Sequence, residues 1–364
     1  AINHPDHGKI FDLSEDTAKQ YPNISNPSVK IYAHNGYGSP EVLRELINIE
    51  RPDAILHFTD PRFWGWLYSI EHEIRQICPL IYYTIWDDTP YPRWNLPFYE
   101  SCDLLMCISK QTHNIVKQVL KGKNYQDWQI TYVPHGINHN TYFPITSDYT
   151  EYNDYIKYKD TIRKDKDFVI FYNARNVKRK HTSDLILAYN EFCKGLSKEQ
   201  AKKCLLLLHT DPLDENGTDL PAVIKECCPD YDVKFTPSRI ITVKELNWLY
   251  NLSDITANIA SNEGFGLGTA ESVMAGTPIV VNVTGGMQDQ CGFMKEDGTY
   301  LTEKDYNDDF QTNAEGKYRI HGPWVQPVFP AVRTLQGSIP TPYIFDDIAC
   351  YKETAEVFAK WYNL

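Results

Sequence analysis

The stretch Ser261-Asn262-Glu263-Gly264-Phe265-Gly266-Leu267-Gly268-Thr269-Ala270-Glu271 sets two carboxylates eight residues apart across a glycine-rich turn. Upstream, residues 254–259 have the β-branched content of a buried strand. Downstream, 270–275 read as a short helix stopped by Gly276, and 278–282 as the next strand. In a strand-loop-helix unit of a parallel sheet, glycines let backbone approach a ligand and the new helix presents unpaired N–H groups at its positive end, a setting that favours phosphate. Glu263 and Glu271 repel phosphate, so hydroxyl groups are their natural partners. A ligand carrying both phosphate and polyhydroxylated rings is a sugar nucleotide.

Working outward, 364 residues are too many for one small core and imply two domains. The net charge of −12 argues against nucleic acid as a partner of the whole surface. No apolar run approaches the ~18 residues of a membrane-spanning helix. The nine cysteines are odd in number, irregularly spaced and mostly set in apolar runs such as Leu104-Leu105-Met106-Cys107-Ile108. That usage fits a reducing compartment and a cytoplasmic protein, and it argues against a disulfide scaffold or a zinc site. The 25 tyrosines are read first as core packing and second as lining for a carbohydrate site.

Both halves alternate strands and helices in the manner of doubly wound sheets. In the first half, strands are expected at 29–33, 54–58, 80–85, 104–108 and 130–133, with helices at 40–50, 64–76 and 111–120. Ser109 is the expected N-cap of the last of these. Residues 140–166, rich in Tyr, Asp and Lys without clear periodicity, suggest a linker. The second half has strands at 168–172 and 205–209 and helices at 183–192, 223–227 and 243–252. Residues 292–342 are a long, proline-punctuated stretch of weak periodicity, and 347–362 read as an amphipathic helix. The expected partition is 1–143, with residues 1–5 as the end of a strand whose preceding elements are missing, then a linker at 144–166, a second domain at 167–345, and a final helix at 346–364 that could cross back to the first domain. Two such domains face one another across a cleft, with ligands at the carboxyl ends of strands.

After the first strand of the second half comes Asn173-Ala174-Arg175-Asn176-Val177-Lys178-Arg179-Lys180-His181. A cluster of cations there suits a diphosphate, which Arg holds by paired hydrogen bonds and Lys as a point charge. Alone it reads rather as a solvated basic loop; a second phosphate-suited loop in the same half reverses that reading toward a ligand.

These two loops resemble the nucleotide-sugar domain of GT-B glycosyltransferases, in particular retaining glycosyltransferase family 4. The Glu-x7-Glu motif of that family is matched by Glu263 and Glu271, with Gly-Phe-Gly inside it, and its Arg-x4-Lys pair by Arg175 and Lys180. Ala275-Gly276-Thr277-Pro278-Ile279-Val280, Gly285-Gly286 and Val133-Pro134-His135-Gly136-Ile137-Asn138 are further echoes. The resemblance implies a GT-B fold of two Rossmann-like domains and transfer of a sugar, as by a hexosyltransferase, from a UDP- or GDP-linked donor to a hydroxyl acceptor. It further implies retention by front-face displacement, without a metal or other cofactor. Arg175 and Lys180 would neutralise the leaving diphosphate and Glu263 would hold sugar hydroxyls. Glu271 would accept from the ribose, while the backbone of Gly264, Phe265, Gly266 and Leu267 contacts sugar and phosphate.

The first half departs from the family. Members carry a His in a Thr-x-His-Asp context, where this chain has Thr84-Ile85-Trp86-Asp87-Asp88. No His role is therefore carried over. Trp86 would stack on a sugar face and Asp87 or Asp88 would contact acceptor or donor sugar, with simple loop roles as the equal alternative for each. The alternatives are a nucleotide-sugar or carbohydrate-binding protein without catalysis and, further off, a dinucleotide-dependent oxidoreductase. The latter is disfavoured because Gly264-x-Gly266-x-Gly268 lacks the G-x-G-x-x-G spacing.

Overall fold

The computed structural model describes residues 5–237 and 240–364, so the strand end expected at 1–5 lies largely outside the described residues. The chain forms two compact units, Ala1–Tyr82 with Pro97–Leu104, and Tyr83–Leu96 with Leu105–Leu364.

In the first unit, Lys30–Tyr32 pairs antiparallel with Ile10–Asp12, a three-residue strand too short to carry a sequence pattern. Helix Pro40–Glu50 begins where the Ser39 hydroxyl accepts from the Val42 N–H and ends at left-handed Arg51. Strand Ile55–Phe58 follows. The helix expected over 64–76 is instead three short turns, Pro61–Trp64, Gly65–Ser69 and Glu71–Ile74. The backbone leaves helical geometry at Ile70, so no continuous hydrogen-bond ladder forms.

The second unit is built on a six-stranded parallel sheet. Its order is Val325–Val328, Ile279–Asn282, Ile255–Asn258, Phe168–Asn173, Cys204–His209 and Val233–Phe235. Alternate residues of its strands feed two cores. Ile170, Tyr172, Leu206 and Leu208 pack on one face, and Val169, Phe171, Leu205 and Leu207 on the other. Helices on both sides account for the near-continuous apolar runs. The order reverses beside Phe168–Asn173, whose neighbours Cys204–His209 and Ile255–Asn258 are the second and fourth of this sheet's strands in chain order. In open α/β sheets such a reversal is where the ligand crevice lies, outside the strands' carboxyl ends.

In the same unit, helix Lys110–Val119, which packs against strand Ile130–Tyr132 and not this sheet, is capped as expected, the Ser109 hydroxyl accepting from the Thr112 N–H at 3.0 Å. Helix Val243–Leu252 starts with a capping box of Thr242 and Glu245. The segment expected to link domains carries helix Tyr152–Arg163. Tyr152, Tyr155, Ile156, Tyr158 and Ile162 form its apolar face against Trp248 and Leu249. Tyrosine supplies the stripe there, which hides the helical period when only aliphatic residues are counted. Within 292–342, Val325–Val328 takes the sheet edge, where Pro327 costs no interior ladder bond. A long hairpin follows, Pro330–Ser338 with Thr341–Ala349, so the final helix begins later than expected, at Tyr351–Tyr362. That helix packs on helix Thr182–Lys194, with Phe358 against Phe192. Among the described residues no helix is long and apolar enough to cross a membrane, and all nine cysteines are free.

Candidate functional site

The two loops singled out in the sequence leave the sheet from Phe168–Asn173 and Ile255–Asn258, the strands that border the crevice. They are bound to each other: the Ser261 N–H donates to the Arg179 carbonyl at 2.8 Å, and Arg179 Nη1 to the Asn262 carbonyl at 2.6 Å. Glu263 lies at their junction, 8% exposed. The Lys180 ammonium pairs with its Oε1, which also accepts from Asn258 Nδ2 at 3.2 Å, and Arg179 Nη1 stands 3.3 Å from Oε2. Burial pushes the Glu263 carboxyl up, but the two cations and their hydrogen bonds outweigh it and hold the group below its ordinary range.

Arg175 points elsewhere. Its Nε and Nη2 meet the Asp214 carboxylate at 2.5 and 3.1 Å, and its side chain is 62% exposed. The loop carrying Asp214 is anchored next door, because Asn176 donates through Nδ2 to the Thr218 carbonyl and accepts from the Thr218 N–H. The structure thus brings Lys180 to Glu263 but not Arg175, and adds Arg179, which the motif spacing did not single out.

At Gly264, Gly285 and Gly286 backbone lies on backbone. A Cβ on Gly264 would stand 2.9 Å from the Ile85 carbonyl oxygen, and one on Gly285 would collide with the Glu263 carbonyl oxygen at 2.1 Å. Gln290 Nε2 donates to the carbonyls of Phe265 and Gly266 at 2.6 and 2.9 Å, which fixes the turn. Left-handed Gly266, with φ of 86°, opens helix Leu267–Met274 three residues earlier than the sequence suggested. Its first-turn N–H groups have no partner within the helix. The Phe265 ring meets His135 edge-on at 5.2 Å.

One turn along, Glu271 Oε2 accepts from the Tyr250 hydroxyl at 2.7 Å. Burial raises the Glu271 carboxyl, while hydrogen bonds from Tyr250 and Tyr142 oppose the rise.

The Trp86-Asp87-Asp88 run divides. Trp86 donates through Nε1 to the Asp88 carbonyl at 2.7 Å and packs edge-on against Trp94. Asp87 lies in the field of the cation cluster. Burial pushes its carboxyl up to about 6, with Arg179 and Lys180 pulling it down and Glu263 adding to the rise. Asp88 is fully buried, held by Gln111 Nε2 at 2.8 Å and Arg333 Nη2 at 3.1 Å; Arg333 Nε in turn meets Asp347 at 2.5 Å. Asp88, expected on the sugar side, is therefore tied through Arg333 to the hairpin strand Pro330–Ser338. Among the described residues no group of three or more His, Cys, Asp or Glu side chains is arranged to hold a metal ion.

No family model matches the chain. A trehalose synthase of Pyrococcus horikoshii is 27% identical over 127 residues, 33% of this chain and 30% of that protein. A glycosyltransferase from Rickettsia africae superposes with a TM-score of 0.57 at 14% identity, over 96% of this chain and 77% of that one. Anabaena HepE, solved with UDP and glucose, gives 0.52 at 19% identity, over 69% and 64%. The trehalose-6-phosphate synthase of Burkholderia multivorans gives 0.52 at 10%, over 69% and 62%. The chain thus spans under a third of its curated relative and just under two thirds of HepE. What these likenesses establish is architecture: the chain has the GT-B glycosyltransferase fold.

Proposed function

We propose that the chain is a retaining glycosyltransferase that moves a sugar, as a hexosyltransferase does, from a nucleoside-diphosphate sugar to a hydroxyl acceptor without a metal. The observation that carries this reading is the pairing of Lys180 and Arg179 with Glu263 between two loops that leave neighbouring strands at the sheet's reversal point, with the Gly264–Gly266 turn and Glu271 following on the second of those loops and its helix. Cations there oppose the charge of a diphosphate, and a preorganised site stabilises it most as the charge grows. The donor is UDP-linked by preference, since HepE was solved with UDP and glucose.

In the reaction, the bond between the anomeric carbon and the β-phosphate oxygen breaks and its electron pair leaves with the phosphate. The acceptor hydroxyl oxygen bonds to the same face of that carbon, and its proton passes to the departing phosphate oxygen. Lys180 and Arg179 meet the developing charge, joined by Arg175 once it parts from Asp214. Glu263, held by its cations, accepts from sugar hydroxyls, and Glu271 accepts from the ribose. Asp87 stands on the sugar side of the same cluster.

Incubation with UDP-glucose and GDP-linked sugars tests this reading. Binding by calorimetry, release of free nucleotide and an α-configured product by NMR from an α-linked donor are expected. An inverted product would remove the retaining assignment, and absence of binding to every nucleotide sugar would remove the donor site. A binding protein without transfer is the second reading, favoured by Trp86 in place of the family His; it predicts binding with no nucleotide release.

A further inference from the structure

Tyr250 is fully buried on helix Val243–Leu252, with Phe171 edge-on at 5.3 Å and Tyr142 edge-on at 6.0 Å. Its hydroxyl sits in a directed chain: Asn173 Nδ2 donates to it at 2.7 Å, and it donates to Glu271 Oε2 at 2.7 Å. Because the Asn173 amide can only give a proton in this contact, the phenol proton is committed to the carboxylate. Burial, and Glu271 beside it, raise the hydroxyl well above its ordinary value, so it stays a donor. Asn173 ends the strand that launches the cationic loop, and a Cβ on Gly268 would stand 3.4 Å from the Tyr250 hydroxyl. The chain therefore ties the cationic loop, the glycine-opened helix and Glu271 into one rigid arrangement.

We propose that Tyr250, seconded by Tyr142, is the positioning residue that makes this site select ribonucleoside over 2′-deoxyribonucleoside diphosphates, by fixing the Glu271 carboxylate so that its remaining lone pairs meet a cis-diol. The inference rests on the reading of Glu271 as the ribose acceptor. With one lone-pair direction of Oε2 taken by the Tyr250 phenol, the carboxylate is kept from swinging to satisfy a single hydroxyl, and a sugar lacking the 2′-OH leaves a partly buried acceptor unmet. The titratable groups facing Glu271 are Tyr250 and Tyr142.

The test measures calorimetric affinity for UDP against 2′-deoxy-UDP, and GDP against 2′-deoxy-GDP, from pH 4.5 to 8, in the wild-type chain, Tyr250→Phe and Tyr142→Phe. The wild-type chain should prefer the ribonucleotide by roughly ten- to a hundredfold. Tyr250→Phe should erase most of that ratio while leaving 2′-deoxy affinity nearly unchanged, with a smaller loss for Tyr142→Phe. Removing either donor raises the Glu271 carboxyl further, so ribonucleotide binding should fail at a higher pH on acidification than in the wild type. A merely structural tyrosine would lower affinity for both sugars alike. Wild-type ratios and wild-type pH midpoints in both variants overturn the inference, and if Tyr250→Phe does not fold, Tyr142→Phe decides alone. A wild-type chain that binds the two sugars equally removes the ribose role of Glu271 and the inference with it; one that binds no nucleotide overturns the donor-site reading itself.

Discussion

Arg175 and Lys180 stand five residues apart on one loop and meet opposite surroundings. Lys180 is buried with Glu263, whereas Arg175 lies in solvent on Asp214. A cation in solvent is screened and readily exchanged even on a largely covered carboxylate such as Asp214, while a pair buried on both sides is locked because neither partner can be left alone. The same motif thus delivers one preset cation, fixed before any ligand arrives, and one that can change partner when a diphosphate does.

The contrast breaks most visibly at Lys180. Lys180→Ala leaves Glu263 buried with Arg179 and Asn258 alone, and should cost about 3 to 5 kcal/mol of stability along with nucleotide binding. A melting temperature within a degree or two of wild type would show that the pair is not locked. Next comes Glu271→Gln, which should weaken ribonucleotide binding at least tenfold with little change in thermal stability, as read by calorimetry and scanning fluorimetry. Asp87 offers a pH handle on the buried side. Its carboxyl is raised to about 6 against an ordinary 3.8, so the folded state binds the proton more tightly than the unfolded one. Stability from this group is present below pH ~4 and is lost as pH rises through ~6. Asp87→Asn should therefore melt higher than wild type at pH 8 and no higher near pH 4; a pH-independent difference would contradict the burial argument. The smallest effect belongs to the exposed side. Asp214→Asn should strengthen nucleotide binding by roughly two- to fivefold at low salt, fading as salt rises, with an unchanged melting temperature. Weaker binding instead would mean that Asp214 aims Arg175 rather than occupying it.

The sheet of the second unit was readable because its strands are apolar on both faces, and the reversal point because Gly264, Gly266 and the cationic run each follow a strand. Side-chain direction within the loops was not. Arg175 is turned by Asp214, and Arg179 and Lys180 by Glu263, partners some 40 and 80 residues away that no local spacing encodes. Helix Tyr152–Arg163 escaped because its buried stripe is written in tyrosine, and the hairpin Pro330–Ser338 with Thr341–Ala349 because prolines there sit at its ends and edges. The Asp88–Arg333–Asp347 contact joins positions 245 and 14 residues apart, beyond any pattern read along the chain.

The backbone stack at Gly264, Gly285 and Gly286 has a consequence for anyone wishing to change the donor this protein accepts. With main chain from residues 85–87, 263–265 and 285–286 in direct apposition, no side chain can be introduced at those glycines without prising the layers apart. A library randomised there would return mostly unfolded chains. Diversity belongs instead at Leu267, whose side chain is half exposed beside the same turn.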